Sequence, residues 1–428
     1  MKAQILPLPL LKEEVFSEFE RDFLVKNNQV FLIKKYGPIT YYTVVENDPK
    51  FFKKLLKIWE RCEYSSSQIP FLPKERDWKW VKKNTHSVNL HYTNKCNSDC
   101  NICYAKDSLP FEEISFNEIK KILTCIGKNK RIILTGGEST VRKDLFKTIS
   151  LIKKSGNIPI IYTNGLKLVD PNYVKKLKKS GIERVHFSFD GFSEEIYKQL
   201  RGCSEHFYLK LKALKNLERF NIEVYISSTI AAGINEGEVE KLLKFCVENN
   251  HFIKGLVFFY AEPFGRFNIN TKKLLTASDL IKLLEDASNG IINKDYFMEF
   301  KKFSINLHHL FKNIGKFFPY GHGYFASIPF KTNKNRISEF IPLQELKIIN
   351  KKMEIAKFSI IKSLSLKRFF WFLRFLFSKK FKPVMFHDNI LLINIGYIGT
   401  PLTYIPTKSH CGTIIKLKDE FVMYSYNG

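Results

Sequence analysis

Along the chain, short runs of consecutive or alternating apolar residues are separated by longer stretches in which apolar positions recur every three to four residues. Ser87 to Thr93 reads as a strand, 112–127 as a helix, 131–135 as a strand, 143–155 as a helix, and Ile158 to Thr163 as a strand before Asn164-Gly165. The segments 171–180, 184–189, 206–220, 222–230, 236–250 and 253–260 continue helix, strand, helix, strand, helix, strand. Strict alternation of this kind predicts βα units on a parallel sheet, an α/β class. Six such strands make a partial (βα)6 barrel, whose functional groups belong at the C-terminal ends of the strands. Those ends carry a cysteine-rich loop after the first strand, then Gly136 to Glu138, Asn164, Asp190 and Glu262.

The cysteine loop carries the first chemistry. Cys96, Cys100 and Cys103 stand in a C-x3-C-x2-C spacing and offer three soft thiolates from one loop. A cubane iron–sulfur cluster takes four ligands, so a local set of three leaves one iron open for a substrate or cofactor. A structural zinc site closes with four Cys or His ligands, and no fourth follows Cys103 at zinc-finger spacing. The next strand end, Leu134-Thr135-Gly136-Gly137-Glu138-Ser139-Thr140, adds two glycines that permit close backbone approach and a carboxylate able to accept a charge-assisted bond.

A cysteine loop after a first strand and Gly-Gly-Glu after a second resemble the radical S-adenosylmethionine (SAM) superfamily. The stretches Thr135 to Leu145, Tyr162-Thr163-Asn164-Gly165, Ser188-Phe189-Asp190-Gly191 with Tyr197 and Leu200-Arg201-Gly202, and Gly233-Ile234-Asn235 resemble the branch holding tetraether lipid synthases and methanopterin-methylating enzymes. The similarity covers residues 85–267 and reaches weakly into both flanks, through Val30 to Gly37 and through His387-Asp388 with Cys411 to Asn427. The resemblance implies a [4Fe–4S] cluster on Cys96, Cys100 and Cys103, with SAM as the second cofactor. It places the methionine end of SAM on Gly136, Gly137 and Glu138, the adenine near Tyr104, and the ribose or substrate side on Asn164, Ser188 and Asp190. No side chain is assigned a catalytic role of its own, since the cofactors carry the hard chemistry.

Those relatives carry extra flanking cysteines for auxiliary clusters, and this chain does not. Beyond the triad, Cys62, Cys125, Cys203, Cys246 and Cys411 form no close pair, so one cluster is expected. Cys125 and Cys246 sit in amphipathic helix patterns as small hydrophobes, and Cys203 follows Leu200-Arg201-Gly202. His410-Cys411 is the best candidate for a vestigial ligand. The absence of cysteine pairs and of a secretory pattern at Met1 to Leu6 points to a reducing, cytoplasmic setting.

The flanks are read as a small N-terminal α+β lobe (1–84) and a C-terminal α+β extension (268–428), a substrate or lid region beyond the 85–267 core. In the latter, His308, His309 and His322 are candidate ligands or acid–base groups against a plain structural role, and Phe317 to Phe325 is an aromatic, glycine-bearing loop placed to act as a lid.

The chain has 428 residues and a formal charge of +27, from 69 basic and 42 acidic side chains, which favours an anionic partner. Nucleic acid is not expected, for want of a binding motif. The segment 366–382 is aromatic with basic ends, too short to span a bilayer, and reads either as an interfacial helix on anionic lipid or as a buried helix. Together with the resemblance, it favours a membrane ether lipid or lipid-like chain as substrate, carbon–carbon bond formation as outcome, and a cytoplasmic enzyme in peripheral contact with the inner membrane face, reduced by an external electron donor. Radical alkylation or methylation of a pterin or other anionic small molecule is the alternative, with peptide modification and a degenerate, non-catalytic scaffold behind it.

Overall fold

The computed structural model describes residues 14–18, 21–36, 39–60, 74–75, 78–85, 87–103, 105–106, 112–261, 266–271, 273–311, 328–333, 336–339, 341–360, 390–395, 411–417 and 420–425. The chain opens with an antiparallel meander of β1 (Glu14–Glu18), β2 (Arg21–Lys26), β3 (Gln29–Tyr36) and β4 (Ile39–Glu46). Asn27 and Asn28 both take positive φ, 48° and 59°, and make the two-residue turn whose twist suits the β2–β3 hairpin. Helix α1 (Pro49–Glu60) follows, its first turn capped by Asp48, which accepts from Phe51 N at 3.0 Å.

A short strand β5 (Lys74–Glu75) and helix α2 (Trp78–Asn84) lead into the main unit. Its strands and helices are β6 (Ser87–Thr93), α3 (Phe116–Ile126), β7 (Arg131–Gly136), α4 (Leu145–Lys154), β8 (Ile158–Thr163), α5 (Pro171–Ser180), β9 (Arg184–Ser188), α6 (Glu194–Arg201), α7 (His206–Arg219), β10 (Glu223–Ile230), α8 (Glu238–Glu248) and β11 (Ile253–Tyr260). Beyond it lie α9 (Ala277–Ala287), α10 (Lys294–Phe311), β12 (Ile328–Asn333), β13 (Arg336–Glu339), α11 (Leu343–Ile360), β14 (Ile390–Ile395), β15 (Cys411–Leu417) and β16 (Glu420–Ser425). The expected alternation is therefore present, with two local differences. Helix α3 starts at Phe116, four residues later than expected, because Ser115 and Glu118 form a reciprocal capping box there. Helix α6, which the sequence reading passed over, begins with Glu194 and Glu195 and ends on left-handed Gly202.

β6 to β11 pair in parallel and in sequence order, and the flanks extend the same sheet. β14 adds parallel to β11, with the β12–β13 hairpin beyond it, while β15 adds parallel to β6 and is followed by β16 and β5. The result is a twelve-stranded sheet with eight adjacent parallel strands, and no pairing closes it into a ring among the described residues. The C-terminal strands thus belong to the core sheet, whereas β1 to β4 form a sheet of their own.

The two faces of the parallel sheet differ. Along β9 and β10 burial alternates strictly: Val185, Phe187, Val224, Ile226 and Ile230 are fully buried on the helix-covered side, and Arg184, His186, Ser188, Tyr225 and Ser227 are only partly so on the other. Parallel strands covered on both faces read as continuous apolar runs. Here the inner face is mixed, with Ile133, Ile160 and Val257 beside the polar groups, and it is incompletely covered by the described residues.

Candidate active site

Four strand ends meet the cysteine loop. At the end of β6 the chain turns from Thr93 through Lys95 into Cys96, and the turn after β7 lies directly on it: Gly137 N donates to Thr93 O at 2.6 Å and Glu138 N to Lys95 O at 2.8 Å. A Cβ on Gly136, whose φ is +116°, would fall 2.2 Å from Thr93 O, and one on Gly137 2.3 Å from Lys95 O. Only glycine permits this crossing, so the two glycines serve a backbone-to-backbone contact that presents the cysteine loop.

The far side of the loop is held just as directly. Asn101 N donates to Leu200 O at 3.0 Å at the end of α6, and its Nδ2 to Gln199 O at 2.8 Å. After β11, Arg266 N donates to Cys103 O at 2.9 Å and Asn268 N to Asn101 O at 2.8 Å, while Arg266 pairs with Asp99 at 2.6 Å.

Cys96, Cys100 and Cys103 are free thiols, all partly or fully open to solvent. Desolvation of the sulfur by the surrounding loop, with like charge on Glu138, Cys100 and Cys103, pushes the Cys96 thiol up to about 11. No three metal-binding side chains converge in ligand geometry among the described residues. The triad therefore fits a cluster by donor chemistry, spacing and access, without a preformed cage; a cationic cluster would relieve the mutual repulsion of its thiolates.

Glu138 is 1% exposed. Its Oε1 accepts from Thr140 N at 3.1 Å, Thr140 Oγ1 at 2.6 Å and Thr163 Oγ1 at 2.8 Å, and its Oε2 from Asn164 N at 2.6 Å. The carboxylate thus staples the β7 turn to the end of β8, and Oε2 keeps capacity for one further donor, such as an ammonium. Asn164 turns to the cysteine loop, with Nδ2 donating to Asn97 Oδ1 at 2.9 Å and lying 3.8 Å from Cys96 Sγ.

Asp190 is fully buried. Both its oxygens are engaged, Oδ2 with Arg201 Nε at 2.7 Å, and Oδ1 with Arg201 Nη2 at 2.7 Å and Thr229 N at 3.0 Å. Burial alone would raise its pKa, but Arg201 outweighs burial and holds it below the usual carboxylate range. The expectation puts this carboxylate on the ribose or substrate side; in the structure both its oxygens face Arg201. Ser188 lies next to it, its carbonyl accepting from Lys210 Nζ at 2.7 Å with the hydroxyl at 3.4 Å. Lys210 Nζ also donates to Asn164 O at 2.7 Å, tying the ends of β8 and β9, and burial pulls its pKa down to about 8.

Two cations that the sequence motifs do not single out, the partly buried Arg201 and the buried Lys210, hold the strand ends next to the cysteine loop. Lys210 carried a visible signal: it shares a helix stripe with Ala213, Leu214 and Leu217, where a lysine must have a buried partner. Tyr104, Glu262, His322, the loop 317–325, His387-Asp388, His410 and the segment 366–382 lie outside the described residues, and the side chains of His308 and His309 on α10 likewise. Cys246 is buried, as expected of a small hydrophobe. Cys411 pairs in register with Ser87, at the end of β6 opposite the cysteine loop. Among the described residues no helix is long and apolar enough to cross a membrane.

The parallel α/β sheet thus gathers the C-x3-C-x2-C loop and the Gly-Gly-Glu turn at the C-terminal ends of its strands. Residues 90–246 match the radical SAM superfamily, and the chain carries a radical SAM domain. That superfamily works with a [4Fe–4S] cluster and S-adenosylmethionine. The chain is 33% identical over 226 residues to 7,8-dihydro-6-hydroxymethylpterin dimethyltransferase of Methanocaldococcus jannaschii, covering 50% of this chain and 44% of that protein. It is 27% identical over 175 residues to a probable GTP 3',8-cyclase of Thermococcus kodakarensis (39% and 55%) and 35% over 147 residues to Fe-coproporphyrin III synthase of Methanosarcina barkeri (33% and 36%). The chain thus spans about half or less of the length of these relatives.

Proposed function

We propose that this protein is a radical SAM enzyme that alkylates or methylates a pterin or a comparable polar, anionic small molecule. The observation that supports this most is the inner face of the sheet, where Asn89, His186, Ser188 and Ser227 stand among aromatic rings below the strand ends. A pterin relative at 33% identity and a charge of +27 favour the same reading. The membrane-lipid substrate favoured on the sequence rests in part on the segment 366–382, which lies outside the described residues.

In this reading Cys96, Cys100 and Cys103 hold the cluster, and Gly136, Gly137 and Glu138 receive the methionine end of SAM. When bound, the cluster and SAM supply a 5'-deoxyadenosyl radical able to abstract hydrogen from an unactivated carbon. The chain's own groups fix the site: Ser98 Oγ lies 3.2 Å from Cys100 Sγ, Asn164 approaches Cys96, and Lys210 locks two strand ends together. An external donor supplies the electron.

The test is anaerobic incubation of reconstituted protein with SAM, dithionite and either 7,8-dihydro-6-hydroxymethylpterin or an ether-lipid extract, with products read by mass spectrometry. The proposal expects an alkylated pterin, formed only with the intact triad. Modified lipid with unmodified pterin would overturn it.

A further inference from the structure

Asn164 follows β8 directly, and all but one of its polar atoms are committed to the fold. Its backbone N donates to Glu138 Oε2 at 2.6 Å, its carbonyl accepts from Lys210 Nζ at 2.7 Å, and its Oδ1 accepts from Leu166 N at 3.0 Å in a local turn. Gly165, the next residue, has φ +83°, and an added Cβ there would fall 2.3 Å from the Phe187 ring, which leaves the turn no room on that side. A backbone N–H can only donate, so the bond from Leu166 settles the orientation of the amide: its oxygen belongs to the turn, and its NH2 group faces the other way. That group has two hydrogens and meets two acceptors, Asn97 Oδ1 at 2.9 Å and Cys96 Sγ at 3.8 Å.

A second cysteine has a partner of the same kind. Ser98 Oγ lies 3.2 Å from Cys100 Sγ. Against a thiol either atom can donate, but a thiolate has no proton to give, so at a metal-bound sulfur the hydroxyl is the donor. Cys96 and Cys100 therefore each meet a neutral donor, one from the end of β8, two strands away in the sheet, and one from within the loop itself. When an external donor adds one electron to a cluster, negative charge on its sulfurs grows, so a hydrogen bond to sulfur favours the reduced form and raises the reduction potential.

We propose that Asn164 and Ser98 are positioning residues that hold up the reduction potential of the cluster by donating to Cys96 and Cys100. The inference rests on the triad as the cluster site and is independent of the substrate. It gives Asn164 a role at the cluster ligands in place of the ribose or substrate side that the resemblance implied.

The test is a redox titration of the full, anaerobically reconstituted chain with dithionite, without SAM, in which electron paramagnetic resonance follows the reduced cluster and iron is counted in each sample. Asn164→Ser keeps a side-chain oxygen for the turn to Leu166 N and loses the NH2 group, while Ser98→Ala loses the hydroxyl and Ser98→Thr keeps it. We expect Asn164→Ser and Ser98→Ala each to move the one-electron equilibrium toward the oxidised cluster about threefold to tenfold, which is about 28–59 mV to lower potential. Iron content should stay parental, and Ser98→Thr should match the parent in both readouts. A parental potential in either donor-less variant, or a potential that falls as far in Ser98→Thr as in Ser98→Ala, would overturn the inference and leave the proposed function standing. Loss of iron with an unchanged potential in the cluster that remains assigns these residues to the loop's fold alone and overturns it too. A parent that binds no iron overturns the triad, and with it both the inference and the proposed function.

Discussion

Arg201 meets Asp190 through two bonds of 2.7 Å, one to each carboxylate oxygen. A buried carboxylate just past the end of β9 therefore fixes the cation at the end of α6, next to the contacts that hold Asn101 of the cysteine loop. Removing one partner of a buried pair leaves an uncompensated charge, at a cost of about 3–5 kcal/mol.

Asp190→Asn should accordingly destabilise the protein by that order, and adding Arg201→Met should restore much of the loss, because the orphaned cation goes too. Urea unfolding of the three proteins decides it. Equal instability in the single and double variants would mean that the pair is not the cause.

Glu46 at the end of β4 gives a pH prediction. Its carboxylate accepts from Thr276 Oγ1 at 2.7 Å and Asn47 N at 2.8 Å, and from Ser278 Oγ, beside Asp279. Burial raises its pKa from 4.5 to about 7. The folded state thus keeps a proton that the unfolded chain releases, so stability is fully present below about 4.5 and declines as pH rises through about 7. Glu46→Gln keeps an acceptor oxygen and never ionises. It should exceed the parent in stability at pH 8, by up to about 3 kcal/mol, and match it near pH 4.5. Denaturant midpoints at the two pH values give the comparison, and a variant weaker at both would contradict it.

Gly137→Ala should detach the Gly-Gly-Glu turn from the cysteine loop, since the new methyl group would lie 2.3 Å from Lys95 O. The measurement is iron per chain after anaerobic reconstitution, expected to fall well below that of the parent. Full iron retention would show that the two turns need not touch for the triad to load.

The βα alternation of residues 87–260 was legible because each strand and helix there is built from local apolar periodicity, and the strand ends followed from the barrel rule. The cysteine and glycine motifs were legible for the same reason, as contiguous residues. What escaped was long-range. That β15 returns to pair with β6, and β14 with β11, depends on partners more than a hundred residues away. Asp190 was assigned to the ligand side because its motif could not reveal Arg201, eleven residues on, as its partner. The polar groups of the inner face were written in β9 and β10, as Arg184, His186, Ser188 against Glu223, Tyr225, Ser227, and became meaningful only once register aligned them.

The triad should load one cluster that cleaves SAM. Anaerobically reconstituted parent protein, reduced with dithionite and given SAM, should hold close to four irons per chain and release 5'-deoxyadenosine, with both signals lost in the Cys96→Ala, Cys100→Ala, Cys103→Ala triple variant. Four irons without 5'-deoxyadenosine, or iron and 5'-deoxyadenosine undiminished in the triple variant, would contradict it.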